Sequence, residues 1–210
     1  MSSIQNVYEL VLNGKAKLIA AAVQAALDEG NEAGAVLNTM IDAMGVVGER
    51  FKNNEIFVPE MLIAARAMKK GVEVLKPHLA SGEAGANGKV IIGTVAGDLH
   101  DIGKNLVAMM IESAGFEVLD LGVDVPKQRF VEAYQANPDT KIIALSALLT
   151  TTMPSLEETV HLLNNQPFRS NIKVMVGGAP ITQEFADAIG ADAYTPDAAS
   201  AAEKAKELTA

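Results

Sequence analysis

The sequence predicts an α/β fold in two parts. An N-terminal four-helix bundle is expected over 1–80, and a C-terminal doubly wound sheet of five parallel strands over 89–210. Two observations carry this. Apolar residues in the first part recur at the helical period, whereas those in the second fall in short β-branched runs that alternate with helical stretches. Where the period changes stands ASGEAGANG (80–88), small, polar and glycine-rich, which reads as a linker over 81–88.

In the first part, Leu18, Val23 and Leu27, then Val36, Met40, Met44 and Val47, fall on 3.6-residue faces. Gly14, Gly30 with Asn31, and Asn53 with Asn54 interrupt the pattern where helices would end. Pro59 suits the first turn of a fourth helix running to about Leu75. In the second part, strand-like runs at Val90–Val95, Val118–Leu121, Ile142–Ser146 and Val174–Val176 alternate with helical stretches at 103–114, 126–136, 154–165 and 181–189. A last helix follows Pro196. This alternation is that of a flavodoxin-like (Rossmann-type) sheet. With the strand order 2-1-3-4-5, ligands bind beyond the carboxyl ends of the strands, between the first and third. The loops expected there carry Gly97, Asp98, His100 and Asp101; Ser146 with Thr150-Thr151-Thr152; and Gly177-Gly178-Ala179-Pro180.

Composition narrows the chemistry. A hydrophobic content of 49% with 20% charged residues is that of a globular chain. The net charge of -9 argues against nucleic-acid or anionic-membrane partners. The absence of cysteine excludes disulfides, iron–sulfur clusters, thiol nucleophiles and cysteine zinc sites. The start, MSSIQNVYELVLNGK, lacks the pattern of a signal peptide, and no stretch approaches the ~20 apolar residues of a membrane span. A cytoplasmic protein is expected.

The most informative stretch is GDLHDIGKN (97–105). One of only three histidines stands there, with Asp98 two residues before it, close enough to orient the imidazole. A single histidine is too few for zinc, which takes about four ligands. His78 and His161 sit on helical stretches and read as surface or packing residues. One protein ligand suits a metal whose other positions are filled by a macrocycle. No P-loop and no GxGxxG is present. A receiver domain would want acidic residues at this strand end, but neither the histidine nor the TTT run.

Asp98-x-His100-x-x-Gly103, then Ser146-x-Leu148, then Gly177-Gly178, resembles the cobalamin-binding signature of the methionine synthase class, and the tail YTPDAASAAEKAKEL fits it. GERFKNNEIFVPEMLIAARAMKKGVEVL resembles that family's helical cap domain. Size and layout look most like the small corrinoid proteins of anaerobic methyltransferase systems, which serve methylamines, methanol, betaines or aryl methyl ethers. The resemblance implies that His100 ligates cobalt in place of the cofactor's own base (base-off/His-on), with Asp98 on its other nitrogen. A hydroxyl from Thr152, or from Ser155 if the loop slips, would extend the relay. Gly97, Asp101 and Ile102 share the histidine loop and count with the cofactor-binding residues, and Gly103 would let the helix start lie against the corrin. Ser146, Leu148 and Thr150 would line the slot for the displaced dimethylbenzimidazole tail. Gly177 and Gly178 would admit that tail to the backbone, and Tyr194, Pro196, Asp197 and Ala198 would close the far side. Phe51 and Val58 fall where the family covers the methyl face, although its residue at the second position is the larger leucine.

The function so implied is methyl carriage on cobalamin. Cob(I)alamin takes a methyl group on a substrate-specific methyltransferase, and methylcobalamin yields it on an acceptor methyltransferase, with a reductive activation protein restoring the cobalt. Such a subunit is non-catalytic alone. A cobalamin-dependent sensor or a mutase cobalamin-binding subunit are the alternatives; the first needs an output module and the second a substrate barrel.

Overall fold

The computed structural model describes residues 2–79 and 87–210, which belong to two compact units, one helical and one containing every described strand. Most of the expected linker, residues 81–86, lies outside the described residues.

The helical unit is built from α1 (Ser3–Leu12), α2 (Ile19–Asp28), α3 (Ala33–Lys52) and α4 (Val58–Leu75). Ser2 caps α1 by accepting from the Gln5 N–H. The turns fall where left-handed backbone is needed: Gly14 has φ +64°, Gly30 +89° and Asn54 +58°. Pro59 sits in the first turn of α4, where the Glu60 carboxylate accepts the Phe57 N–H at 3.1 Å. Val7, Val11, Ile19, Val23, Val36, Met40, Met44, Met61, Met68 and Leu75 are buried at the apolar period. Each buried large side chain contributes about 1.5–3 kcal/mol relative to exposure. Met40 packs close to Gly71, where a Cβ would lie 2.3 Å from its Cε, so α3 and α4 meet closely and a methyl group there would have to displace the methionine tip.

The second unit alternates β1 (Lys89–Thr94), α5 (Ile102–Ser113), β2 (Glu117–Asp120), α6 (Lys127–Ala136), β3 (Thr140–Ser146), α7 (Met153–Asn164), β4 (Lys173–Gly177), α8 (Gln183–Ile189), β5 (Ala193–Tyr194) and α9 (Ala198–Thr209). The strands pair in parallel in the order β2-β1-β3-β4-β5. Ile91, Ile143, Leu145, Val174 and Val176 of the three inner strands pack with Phe130, Tyr134, Leu156 and Val160 of α6 and α7. The alternate positions Val90, Ile92, Ile142, Ala144 and Met175 are buried as well, and this burial on both faces is why those strands read as continuous apolar runs. Elements match the expected ones to within a few residues. Helix α8 starts at Gln183 instead of 181 because the Thr182 side chain caps it, accepting from the Phe185 N–H. The fifth strand is two residues long, too short to leave a periodic signal.

Register sets the functional end. Thr94 pairs with Ser146, and Ser146 with Gly177, so β1, β3 and β4 finish level. Beyond them the chain closes tightly: Gly178 has φ +134°, and a Cβ on it would lie 1.8 Å from the Ala147 carbonyl oxygen. Gly178→Ala should therefore lower the free energy of unfolding by at least about 2 kcal/mol, measured by urea denaturation.

Candidate functional site

The loop after β1 is held before its side chains act. Val95 N–H donates to the Ser146 carbonyl at 3.0 Å, and Thr94 Oγ1 donates to the His100 carbonyl at 2.9 Å. Thr94 is fully buried, which gives that bond a dry setting. Between these anchors Asp98 turns inward and has no solvent exposure.

A buried carboxylate is tolerated only when its lone pairs are used. Asp98 Oδ1 accepts from His100 Nδ1 at 2.6 Å and from the His100 backbone N–H at 3.1 Å. Asp98 Oδ2 accepts from the Leu148 N–H and from Thr152 Oγ1, each at 2.7 Å. Burial pushes the Asp98 carboxyl up, but the Leu148 N–H, the Thr152 hydroxyl and the two His100 donors outweigh it and hold the group well below the usual carboxylate range. An ionised carboxylate can only accept, so His100 Nδ1 carries the proton of this bond. In the neutral ring the lone pair is then left on Nε2, on a side chain that is 48% exposed.

The loops that carry His100 and Leu148 also expose large apolar side chains. Leu99 and Ile102, on either side of His100, are 72% and 77% exposed, and Leu148 and Leu149 are 41% and 40% exposed. Large apolar side chains left exposed in the two loops that Asp98 joins suit a ligand with a broad apolar face. Gly103, in the first turn of α5, is exposed, and a Cβ built on it meets nothing within 4 Å. The chain itself does not require glycine there. Among the described residues no group of three or more His, Cys, Asp or Glu could hold a metal ion, so a metal at His100 would not find a full set of such protein ligands.

The other expected residues sort by position. Thr152, nearly buried in the 3₁₀ turn Thr150–Thr152, supplies the hydroxyl on Asp98; Ser155, on α7, is not among the partners of that carboxylate. Gly97 enters the loop with φ +83°. Asp101, exposed just before α5, accepts from the Asn105 side chain at 3.2 Å. Ser146 and Gly177 end β3 and β4, and Thr150 is exposed beside them. Tyr194 pairs with Val176 at the same end, and Pro196 is exposed after it. Asp197 caps α9, accepting from Ser200 N–H and Oγ at 2.9 Å each, and Ala198 is buried behind it. Phe51 and Val58 belong to the helical unit, near the end of α3 and at the start of α4, where Phe57 is 62% exposed. His78 and His161 are exposed on the 3₁₀ turn Lys76–His78 and on α7.

Sequence reasoning missed Leu99, Leu149 and Lys104. The leucines look like ordinary apolar residues until their exposure is seen. Lys104 is buried with its Nζ paired to the Asp120 carboxylate and donating to Asn105 Oδ1 at 2.7 Å, and only the fold brings Asp120 to it.

Comparison with known proteins gives the family. Two family models, each described as a B12 binding domain, match residues 3–76 and 88–205. The chain is 44% identical over 209 residues to dimethylamine corrinoid protein 1 of Methanosarcina acetivorans, covering 99% of this chain and 97% of that protein. Its structure resembles a cobalamin-binding protein from Desulfitobacterium hafniense, with TM-score 0.83 and 30% identity over 99% and 98% of the two chains. It also resembles a chain of the methanol:cobalamin methyltransferase complex of Methanosarcina barkeri, with TM-score 0.85 and 28% identity over 99% of this chain and 79% of that one.

Asp98→Asn should separate charge from shape. An amide cannot accept on both sides, so the backbone N–H facing its nitrogen, that of Leu148 or of His100, loses its acceptor, and unfolding free energy at pH 7 should fall by about 1–3 kcal/mol. The folded Asp98 carboxyl titrates lower than in the unfolded chain. Its stabilisation is therefore complete above the ordinary carboxylate pKa of about 3.9 and is lost as pH falls below it. Urea denaturation of both proteins at pH 7, 5 and 3 should show a constant gap that narrows only at the lowest pH.

Proposed function

The chain belongs to the cobalamin-binding corrinoid proteins, and from that premise we propose that it is the methyl carrier of a methyltransferase system, with His100 as its lower cobalt ligand and the cofactor's own base held off the metal. The observation that carries this reading is the buried Asp98 that fixes the His100 tautomer and leaves Nε2 free. Bound cobalamin supplies a cobalt centre that accepts and releases a methyl group. The residues of the chain do the rest. Asp98 orients the imidazole and raises its basicity, as a carboxylate behind a ligating histidine does elsewhere. Thr152 and the Leu148 N–H keep that carboxylate ionised, so the ring stays in the tautomer that presents Nε2.

Leu99 and Ile102 offer the apolar surface a corrin needs, and the open space at Gly103 admits the ring to the start of α5. Ser146, Leu148, Thr150, Gly177, Gly178, Tyr194, Pro196, Asp197 and Ala198 are assigned to the slot for the nucleotide tail. Their support is the common level at which β3 and β4 end and the pairing of Tyr194 beside them. Phe51 and Val58 are assigned to the methyl face by family resemblance.

By likeness to the dimethylamine corrinoid protein, the methyl donor is a methylamine, with dimethylamine the first to try. The neighbour from a methanol:cobalamin methyltransferase complex supports work in partnership with a methyltransferase. The partners proposed are a substrate-specific methyltransferase, an acceptor methyltransferase and a reductive activation protein.

Protein reconstituted with cobalamin should show the visible spectrum of a histidine-ligated cobalt, and His100→Ala should bind more weakly yet measurably, with the spectrum of a species lacking imidazole. Identical spectra for the two would remove His100 from the role. Gly103→Ala separates ligand from fold. Alanine suits a helix better than glycine by up to about 1 kcal/mol, so thermal stability should hold or rise while cobalamin affinity falls.

A further inference from the structure

The second loop that reaches the histidine loop comes from the far side of β1. Between β2 and α6 the chain runs alongside it: Thr94 N–H donates to the Gly122 carbonyl and Val125 N–H to the Thr94 carbonyl, each at 3.0 Å, and Val95 bridges Val125 in parallel. At the tip stands Asp124, with φ +51°, one of two described non-glycine residues in the left-handed region. A side chain there is strained, and aspartate is among the few that tolerate it. Asp124 uses the position twice. Its N–H donates to the Asp98 carbonyl at 2.9 Å, and its Oδ1 accepts the Gly97 N–H at 2.6 Å.

The two-residue segment Gly97–Asp98 is therefore held by one residue from its first N–H to its last carbonyl, while the Asp98 N–H between them donates to the Val95 carbonyl at 3.2 Å. The opposite side of Asp98, its carboxylate, is held from the β3 loop by Leu148 and Thr152. Asp98 has its backbone fixed from one neighbour of β1 and its side chain from the other. Freeing either end lets Oδ1 move relative to His100 Nδ1, and a hydrogen bond at 2.6 Å is sensitive to small displacements. Gly97, itself at φ +83°, has little rigidity of its own, so the Asp124 carboxylate is what pins it.

We propose that Asp124 is a positioning residue for the cobalt ligand: its carboxylate anchors the Gly97 N–H, at the start of the Gly97–Asp98 segment, and so keeps the Asp98–His100 pair in the geometry that presents Nε2. The proposal rests on His100 being the lower ligand and goes beyond it, because no residue of the resemblance to the cobalamin signature assigns Asp124 a part.

Two substitutions divide the side chain from the backbone. Asp124→Gly removes the acceptor and accepts positive φ more easily than aspartate. Asp124→Asn keeps an acceptor oxygen and tolerates the same backbone. Each protein is loaded with cobalamin, reduced to the cob(II) form, and examined by electron paramagnetic resonance for the threefold splitting of an axial nitrogen. The fraction of signal so split should fall at least twofold in Asp124→Gly and stay at the wild-type value in Asp124→Asn. A glycine variant equal to wild type overturns the proposal, because backbone conformation alone would then suffice. Equal losses in both variants overturn it too, because the acceptor oxygen would not be what matters. Absence of the splitting in wild type itself would instead strike the ligand assignment of His100. Should Asp124→Gly not take up cobalamin, nitrogen-15 shifts of His100 in the cofactor-free proteins decide. The Nδ1-protonated fraction should drop in the glycine variant alone, and an unchanged tautomer would overturn the proposal.

Discussion

One carboxylate, removed from water and surrounded by four donors, governs the site. Asp98 lies in the loop after β1, and its partners come from that same loop and from the loop after β3. A charge buried this way is costly unless each lone pair is satisfied, so the two loops must stay in register with each other. That requirement converts the end of a sheet into a rigid mount. On that mount the His100 ring is held through its Nδ1 while its side chain stays 48% exposed.

The sheet supplies the mount because of its topology. With β1 flanked by β2 and β3, the chain leaves the sheet in opposite directions on the two sides of β1, which opens a crevice at their carboxyl ends. Thr94, Ser146 and Gly177 end level, so loops from three strands begin at one height. These loops divide the work between them by polarity. Polar groups that fix one another lie inward, and Leu99, Ile102, Leu148 and Leu149 remain exposed. Exposed leucines and an isoleucine in these loops are a poor surface for water and would suit an apolar ligand.

Much of this was legible in the sequence. The change of period at the glycine-rich segment separates helices from strands, and the spacing of Asp98, His100, Gly103, Ser146, Leu148, Gly177 and Gly178 points to one end of one sheet. What escaped were relations that need three dimensions. The bond from the Leu148 backbone to Asp98 leaves no trace in residue type, since any residue but proline has that N–H. Gly178 was expected to be glycine for a ligand's sake, yet the Ala147 carbonyl already demands it, whereas Gly103 is the glycine that the chain leaves unexplained. Asp197 reads as a pocket residue by resemblance and acts as the cap of α9.

The central claim is that the nitrogen beneath cobalt belongs to the protein and not to the cofactor's nucleotide base. Protein labelled with nitrogen-15 only in histidine, and loaded with cobalamin of natural isotopic abundance, separates the two sources in the cob(II) electron paramagnetic resonance spectrum. Nitrogen-14 splits each line into three and nitrogen-15 into two. A change from three lines to two on labelling is the predicted result; three lines in both samples would place the cofactor's own base on the metal and contradict the account.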